Sequence, residues 1–180
     1  MNIIITILLV VAGIIALLLI IAIFMKREHY VKREIIINAP RQKVFDYLKL
    51  LKNQDNFNKH AMAGPDRNRE YKGTDGTVGF IYAWSGNKKA GEGEKEIKKI
   101  IDGERIETEI RFVKPMAATA FIIMETESLS GDQTKVSWSN TGKLKYPVNI
   151  FIPMMEKMLP KEMDSSLSTL KNILENNYNT

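Results

Sequence analysis

Aromatic side chains alternate along one short stretch of the chain. Phe80, Tyr82 and Trp84 are each two residues apart within residues 77–85, and a β-strand places such residues on one face. Pockets for apolar ligands are mostly hydrophobic and carry a few polar groups that orient the ligand. Tyr82 and Trp84 are the stronger candidates, since their polar tips need partners when buried. The alternation therefore predicts one wall of a ligand pocket, with plain core packing as the alternative.

Later segments add candidates for the same pocket. Flexible thioether side chains adapt to varied apolar shapes, and Met154, Met155, Met158 and Met163 lie close together in the sequence. Irregular core filling is the competing interpretation of these methionines. The complete set of pocket candidates is Phe80, Tyr82, Trp84, Ile110, Phe112, Trp138, Met155, Met158 and Met163.

Candidates for catalysis are few. The chain has no cysteine and two histidines, which excludes a thiolate nucleophile and argues against a zinc site. His60 titrates near neutrality, although an exposed loop position is its simpler interpretation. An acid or base would have to be His60, Tyr82, Glu94 or Glu109, and alternation turns Glu109 outward. We assign no catalytic residue and expect no metal or cofactor.

The elements that hold these residues follow from periodicity. Residues 30–38 read as a strand, and a helix begins after Pro40. A second short helix is predicted over residues 57–62. Strands are then predicted over residues 68–72, 77–85, 91–101, 105–113, 117–127 and 134–142. Short turns between successive strands imply antiparallel neighbours.

The C-terminal segment supplies a cover for this sheet. Met163, Leu167, Leu170 and Leu174 form one helical stripe, and Pro160 is expected to start that helix. The preceding residues 148–159 are predicted to form a shorter, separate helix. The fold class is α+β, with about seven strands in a curved antiparallel sheet wrapped around a long C-terminal helix.

Six segments in this order resemble the START-like, helix-grip superfamily, also called SRPBCC, and within it the polyketide cyclase/dehydrase-like group. They are IIINAPRQKVFDYL at 35–48, GTVGFIYAWSG at 76–86, GEGEKEI at 91–97, RFVKP at 111–115, TKVSWSNTG at 134–142 and KEMDSSLSTLKNILE at 161–175. The resemblance implies the helix-grip fold and a cavity between sheet and helix that holds lipids, polyketides or other apolar molecules. It carries over no single reaction and no catalytic residue.

An uncharged aliphatic run precedes the resemblance. Within residues 3–25, only Thr6 and Gly13 interrupt the apolar side chains. A helix of this length spans about 34 Å, enough for a bilayer core. The run is longer than a signal-peptide core and lacks a basic residue before it or a small-residue cleavage pattern after it. We expect a retained transmembrane anchor over residues 1–25, a basic linker over 26–30 and the helix-grip domain over 31–180.

The charges around this run predict an orientation and exclude one partner class. Lys26, Arg27, Lys32 and Arg33 follow the run, so the domain is expected in the cytoplasm, held to the plasma (inner) membrane by a single pass. The net charge of +5 is spread over residues of both signs, which argues against a nucleic-acid partner. The sequence thus favours a membrane-anchored module that binds an apolar small molecule or lipid. A cyclase or dehydratase-like enzyme and a protein-interaction or chaperone-regulating module with a closed cavity are the alternatives.

The orientation can be tested with reporters fused to the C-terminus of the full chain. A reporter that is active only in the cytoplasm should be active, and one that requires export should be silent, because the basic residues follow the apolar run. Activity of the exported reporter instead would contradict the charge argument.

Overall fold

The structure is a computed structural model that describes residues 2–62, 67–86 and 91–176, with the side chain of His60 outside the described part. A seven-stranded sheet, antiparallel throughout, has the strand order β1-β7-β6-β5-β4-β3-β2. The strands are β1 (Glu28–Ile37), β2 (Asn68–Lys72), β3 (Ile81–Ser85), β4 (Glu92–Ile101), β5 (Arg105–Lys114), β6 (Ala118–Ser130) and β7 (Gln133–Lys143). The helices are α1 (Ile3–Phe24), α2 (Arg41–Lys49), α3 (Gln54–Phe57), α4 (Lys59–Met62) and α5 (Ile152–Asn176), with 3₁₀ turns at Leu51–Asn53 and Val148–Phe151.

The main core lies between the β1–β7–β6 side of the sheet and the C-terminal half of α5. Val136 and Trp138 of β7 pack with Met163, Leu167 and Leu170 of α5 in one buried cluster. Alternation brings these residues together, because the neighbours of Val136 and Trp138 along β7 point the other way. The predicted α+β architecture, with a sheet around a long C-terminal helix, is confirmed.

α5 follows β1 along its length. Arg33 pairs with Asp164 at 3.3 Å, and farther along Glu175 accepts a hydrogen bond from the backbone N–H of Asn38 at 2.7 Å. The strand and the helix therefore run in the same direction. The β3–β4 side of the inner sheet face receives its cover from α3 and the adjoining 3₁₀ turn instead, through contacts such as Gln54 with Lys95.

The prediction that Pro160 starts the last helix is wrong. α5 is continuous through Pro160. Ile152, Leu159 and Met163 recur at helical spacing across the proline, and Ile152 and Met163 are buried. Packing of this uninterrupted apolar face outweighs the missing backbone donor of the proline.

The predicted strand over residues 77–85 is also too long, because β3 begins at Ile81. The Asp75 carboxylate accepts hydrogen bonds from the backbone N–H groups of Leu51 and Lys52, at 2.8 and 3.1 Å. This holds the β2–β3 loop against the 3₁₀ turn, and Gly76 and Gly79 take positive φ angles there. The loop is therefore longer than the two-residue hairpin that Asp75-Gly76 suggests.

Helix α1 is long and apolar enough to span a membrane, and Ala22 is its one buried residue. Its end is held by the domain. The side-chain amide of buried Asn149 donates hydrogen bonds to the carbonyls of Ala22 and Met25, at 2.7 and 3.1 Å. Lys26 adds an ion pair with Glu156 of α5 at 2.6 Å. Because β1 begins at Glu28, the connection is shorter than the predicted linker over residues 26–30.

Replacing Asn149 by alanine should loosen this joint. The buried carbonyl of Ala22 and the half-buried carbonyl of Met25 would lose their donor, at a cost of about 1–3 kcal/mol. We expect faster hydrogen–deuterium exchange in residues 22–30 of the full chain in nanodiscs. Asn56→Ala removes an exposed side-chain hydrogen bond and is the matched control. Unchanged exchange in Asn149→Ala would show that the amide does not hold the helix end.

Candidate functional site

One cross-strand row on the inner face of the sheet contains a lysine. The inner face is the one that faces α3 and α5. Tyr82, Lys95, Ile110 and Ala120 are direct neighbours across β3, β4, β5 and β6. Directly opposed residues of antiparallel strands share a face. A lysine therefore lies in the middle of an otherwise aromatic and aliphatic row.

Lys95 is buried and is 6% exposed. Its Nζ atom donates a hydrogen bond to Oε1 of Gln54 on α3, at 2.6 Å, and Gln54 is itself buried. No carboxylate of the described residues pairs with Lys95. Burial without a counter-charge lowers the pKa of the Lys95 amine to about 7, because an ammonium is poorly solvated there.

Tyr82 belongs to a polar group beside this lysine. Its hydroxyl donates to Oδ1 of Asp55 at 2.7 Å and accepts from Nε of Arg69 at 3.1 Å. Arg69 and Asp55 also form an ion pair at 2.9 Å. Burial and the Asp55 carboxylate raise the pKa of Tyr82 far above its usual range. Tyr82 is therefore held as a hydrogen-bonded phenol that is a poor proton donor, and the phenolate that could act as a base does not form near neutral pH.

A buried hydroxyl lies close to Lys95 on the next strand. Thr108 faces Ile97 in the β4–β5 pairing and is thus the diagonal neighbour of Lys95 on the inner face. Its Oγ1 atom is buried and has no hydrogen-bond partner among the described residues. Native proteins satisfy most buried polar groups, so this hydroxyl is a candidate ligand-binding group.

Apolar residues continue from Lys95 toward the end of the sheet at which α1 ends, here called the anchor end. Trp84, Gly93 and Phe112 form the next row across β3, β4 and β5. The rings of Trp84 and Phe112 meet edge to face with centroids 6.0 Å apart, and Phe112 is 37% exposed. Gly93 makes room for this pair, since a Cβ there would lie 2.8 Å from the indole ring.

The structure divides the nine predicted pocket residues between several environments. Trp138 and Met163 lie in the main core, and Phe80 and Tyr82 lie in a smaller cluster with Ile97. The half-buried or exposed candidates are Trp84, Ile110, Phe112, Met155 and Met158.

The half-buried candidates share the anchor end. Met155 lies three residues after Ile152 and eight before Met163, on the core-facing stripe of α5. Met158 is 49% exposed. Inward-facing apolar side chains are thus incompletely covered at this end, whereas the region below the C-terminal half of α5 is filled.

Two predicted acid–base candidates lie on the outer face of the sheet. Arg111 forms ion pairs with Glu94, Glu96 and Glu109, at 2.7, 2.8 and 3.0 Å. The outward orientation predicted for Glu109 is confirmed. Two open depressions, of about 310 and 470 Å³, are lined mainly by outer-face residues as well. The side chain of His60 lies outside the described residues, so its role stays a prediction.

Sequence reasoning missed Lys95 because residues 91–101 read as a solvated charged strand. A usable signal was present in the alternation itself. Glu92, Glu94 and Glu96 share one face, so Gly93, Lys95 and Ile97 must share the other. That Gln54 covers the lysine depends on the tertiary position of α3.

Comparison with known proteins gives the fold. Neither a family model nor a curated protein sequence matches the chain. Among solved structures, norcoclaurine synthase from Thalictrum flavum, in complex with dopamine and hydroxybenzaldehyde, matches with a TM-score of 0.61 and 12% identity over 86% of this chain and 90% of that one. The chain has the helix-grip fold.

Two further helix-grip structures agree. The Aha1 dimer from Colwellia psychrerythraea matches with a TM-score of 0.55 and 16% identity, over 82% of this chain and 96% of that one. Ara h 8.0201 matches with a TM-score of 0.55 and 13% identity, over 82% and 97%. At these identities the likeness concerns the fold. Among the described residues, no group of three or more histidine or acidic side chains could hold a metal ion.

Lys95→Met should stabilise the helix-grip domain. Methionine fills similar space without a buried amine, so we expect a gain of about 1–3 kcal/mol at pH 7. In the wild-type chain, the unfolded state keeps its lysine proton up to pH 10.5 while the folded state loses it near pH 7. The free energy of unfolding should therefore rise with pH across this window, and the variant should lack this rise.

Thermal unfolding of the full chain in detergent, measured between pH 6 and pH 10, tests this prediction. Lys99→Met removes an exposed lysine from the same strand and should change neither the midpoint nor its pH dependence. A Lys95→Met variant less stable than the wild type at every pH would show that the amine contributes favourably to folding.

Proposed function

We propose that the protein is a membrane-anchored module that binds an apolar small molecule or lipid on the inner face of its sheet. The observation that carries the proposal is the incompletely covered apolar surface at the anchor end, formed by Trp84, Ile110 and Phe112. Pockets for apolar ligands combine such walls with a few polar groups. Lys95, Thr108 and Tyr82 are polar groups on the β3–β5 part of this face.

The position of α1 supports the lipid bilayer as the source of the ligand. The Asn149 amide and the Lys26–Glu156 ion pair hold the end of α1 against the start of α5. If α1 spans the inner membrane, the anchor end faces the lipid head groups, with the domain in the cytoplasm. A molecule dissolved in the bilayer would then reach Phe112 and Trp84 without crossing much water.

An enzyme is the second candidate, and the buried amine of Lys95 favours it. An amine whose pKa is lowered to about 7 loses its proton far more readily than an ordinary lysine, and uncharged lysines serve as bases and nucleophiles. A cyclase or dehydratase-like reaction would use Lys95 as its base. A ligand recovered chemically unchanged after prolonged incubation supports the binding module, and a ligand recovered with altered mass supports the enzyme.

Photolabelling tests the binding proposal on the full chain. We expect a diazirine-bearing oleyl alcohol, added to the chain in phosphatidylcholine nanodiscs, to label inner-face residues of β3 and β5 in addition to α1. Ile110→Trp would place a larger ring beside Lys95, where the proposed ligand lies, and should lower labelling of β3 and β5 at least tenfold, while labelling of α1 stays unchanged. Peptide mass spectrometry measures both.

The matched control is Val113→Trp, which enlarges an exposed residue of the same strand and should leave the labelling pattern intact. Labelling confined to α1 in the wild-type chain would refute the binding proposal, because the probe would then meet the protein only in the lipid phase.

A further inference from the structure

Lys95 is a buried lysine that pairs with no carboxylate of the described residues. An ammonium group has three N–H donors, and Gln54 accepts one hydrogen bond from Lys95 at 2.6 Å. The other neighbours in its row are the aromatic ring of Tyr82 and the aliphatic side chain of Ile110. A buried cation without an anion is costly, so an anion that reached this position would bind strongly.

We propose that Lys95 and Thr108 bind the carboxylate of a long-chain fatty acid, whose alkyl chain lies along Ile110, Trp84 and Phe112. This inference rests on the proposed function and adds the ligand class. The Lys95 ammonium would supply the charge, and the unpartnered hydroxyl of Thr108 would donate to the second oxygen. The amine whose pKa lies near 7 would take up a proton when the carboxylate arrives.

The other charged groups near Lys95 favour a single negative charge. Asp55 of α3 lies on the far side of Tyr82, and its carboxylate is already engaged by Arg69 of β2 and by the Tyr82 hydroxyl. The acidic residues of β4 itself, Glu94 and Glu96, are on the outer face with Arg111. One ammonium and one hydroxyl match a carboxylate, whereas a phosphate dianion would bring an extra charge close to Asp55.

The distances along the sheet suit an amphipathic chain. At roughly 3.3 Å per residue, the row of Lys95 and Ile110 lies about 10 Å from the strand end at Glu92 and about 13 Å from the strand end at Lys114. The path passes the edge-to-face pair of Trp84 and Phe112, which is partly exposed. The acidic head group would therefore lie at Lys95, and the rest of the alkyl chain would leave the protein at the anchor end, next to α1.

The test compares diazirine-bearing oleic acid with the matching oleyl alcohol on the full chain in phosphatidylcholine nanodiscs. We expect the acid to label β3 and β5 at concentrations at least tenfold lower than the alcohol. Lys95→Met should abolish this preference by weakening labelling by the acid alone. Thr108→Val, which keeps the shape and removes the hydroxyl, should weaken labelling by the acid severalfold. Lys99→Met is the control and should change neither probe.

The outcomes separate this inference from the proposed function. Equal labelling of β3 and β5 by acid and alcohol, unaffected by Lys95→Met, would overturn the carboxylate site and leave the apolar binding module intact. Labelling of α1 alone by both probes would overturn both. Since Lys95→Met is expected to stabilise the fold, loss of labelling by the acid with retained labelling by the alcohol cannot come from unfolding.

Discussion

An antiparallel sheet that turns one face inward must cover that face along its whole width, and here one long helix covers only part of it. α5 follows β1, through contacts such as Arg33 with Asp164, and fills the core over β7 and β6. The remaining side, β3 and β4, is covered by the short helix α3. Four residues of helix bring little apolar surface, so polar groups such as Gln54 and Asp55 become the cover. The interior of this domain is therefore apolar under α5 and partly polar under α3.

Tyr82 and Lys95, the two polar side chains under α3, differ in the partners that compensate for their burial. Tyr82 has Asp55 and Arg69 as partners, and together they form a neutral, fully bonded set. Lys95 has the neutral oxygen of Gln54 and no anion among the described residues. Of these two side chains, only Lys95 could gain an ion pair by binding an anionic ligand. Buried charges are usually paired or neutralised, and the lack of an anion beside Lys95 among the described residues is the basis of the proposed carboxylate site.

The contacts between the end of α1 and the domain fix the position of α1 relative to the inner face of the sheet. Asn149 and Lys26 fix the end of the apolar helix beside the start of α5, where Met155 and Met158 lie. The incompletely covered apolar residues are at that same end of the sheet. A flexible linker would leave the relation between the helix and the inner face undetermined, whereas buried hydrogen bonds to the last carbonyls of α1 hold it constant.

Local periodicity was enough to predict the apolar helix, the seven strands and the core stripe of α5, because packing preserves each of these patterns. It was wrong at Pro160 and at Thr77, where the penalty of a proline and the pattern of a strand were outweighed by the packing of α5 and by the hydrogen bonds of Asp75. The state of Lys95 depends on tertiary contacts. Alternation places its side chain on the inner face, but its lowered pKa comes from burial, to which Gln54 of α3, distant in sequence, contributes as cover. Charge is read from sequence, whereas the loss of water and the lack of a counter-ion arise only when separate elements pack together.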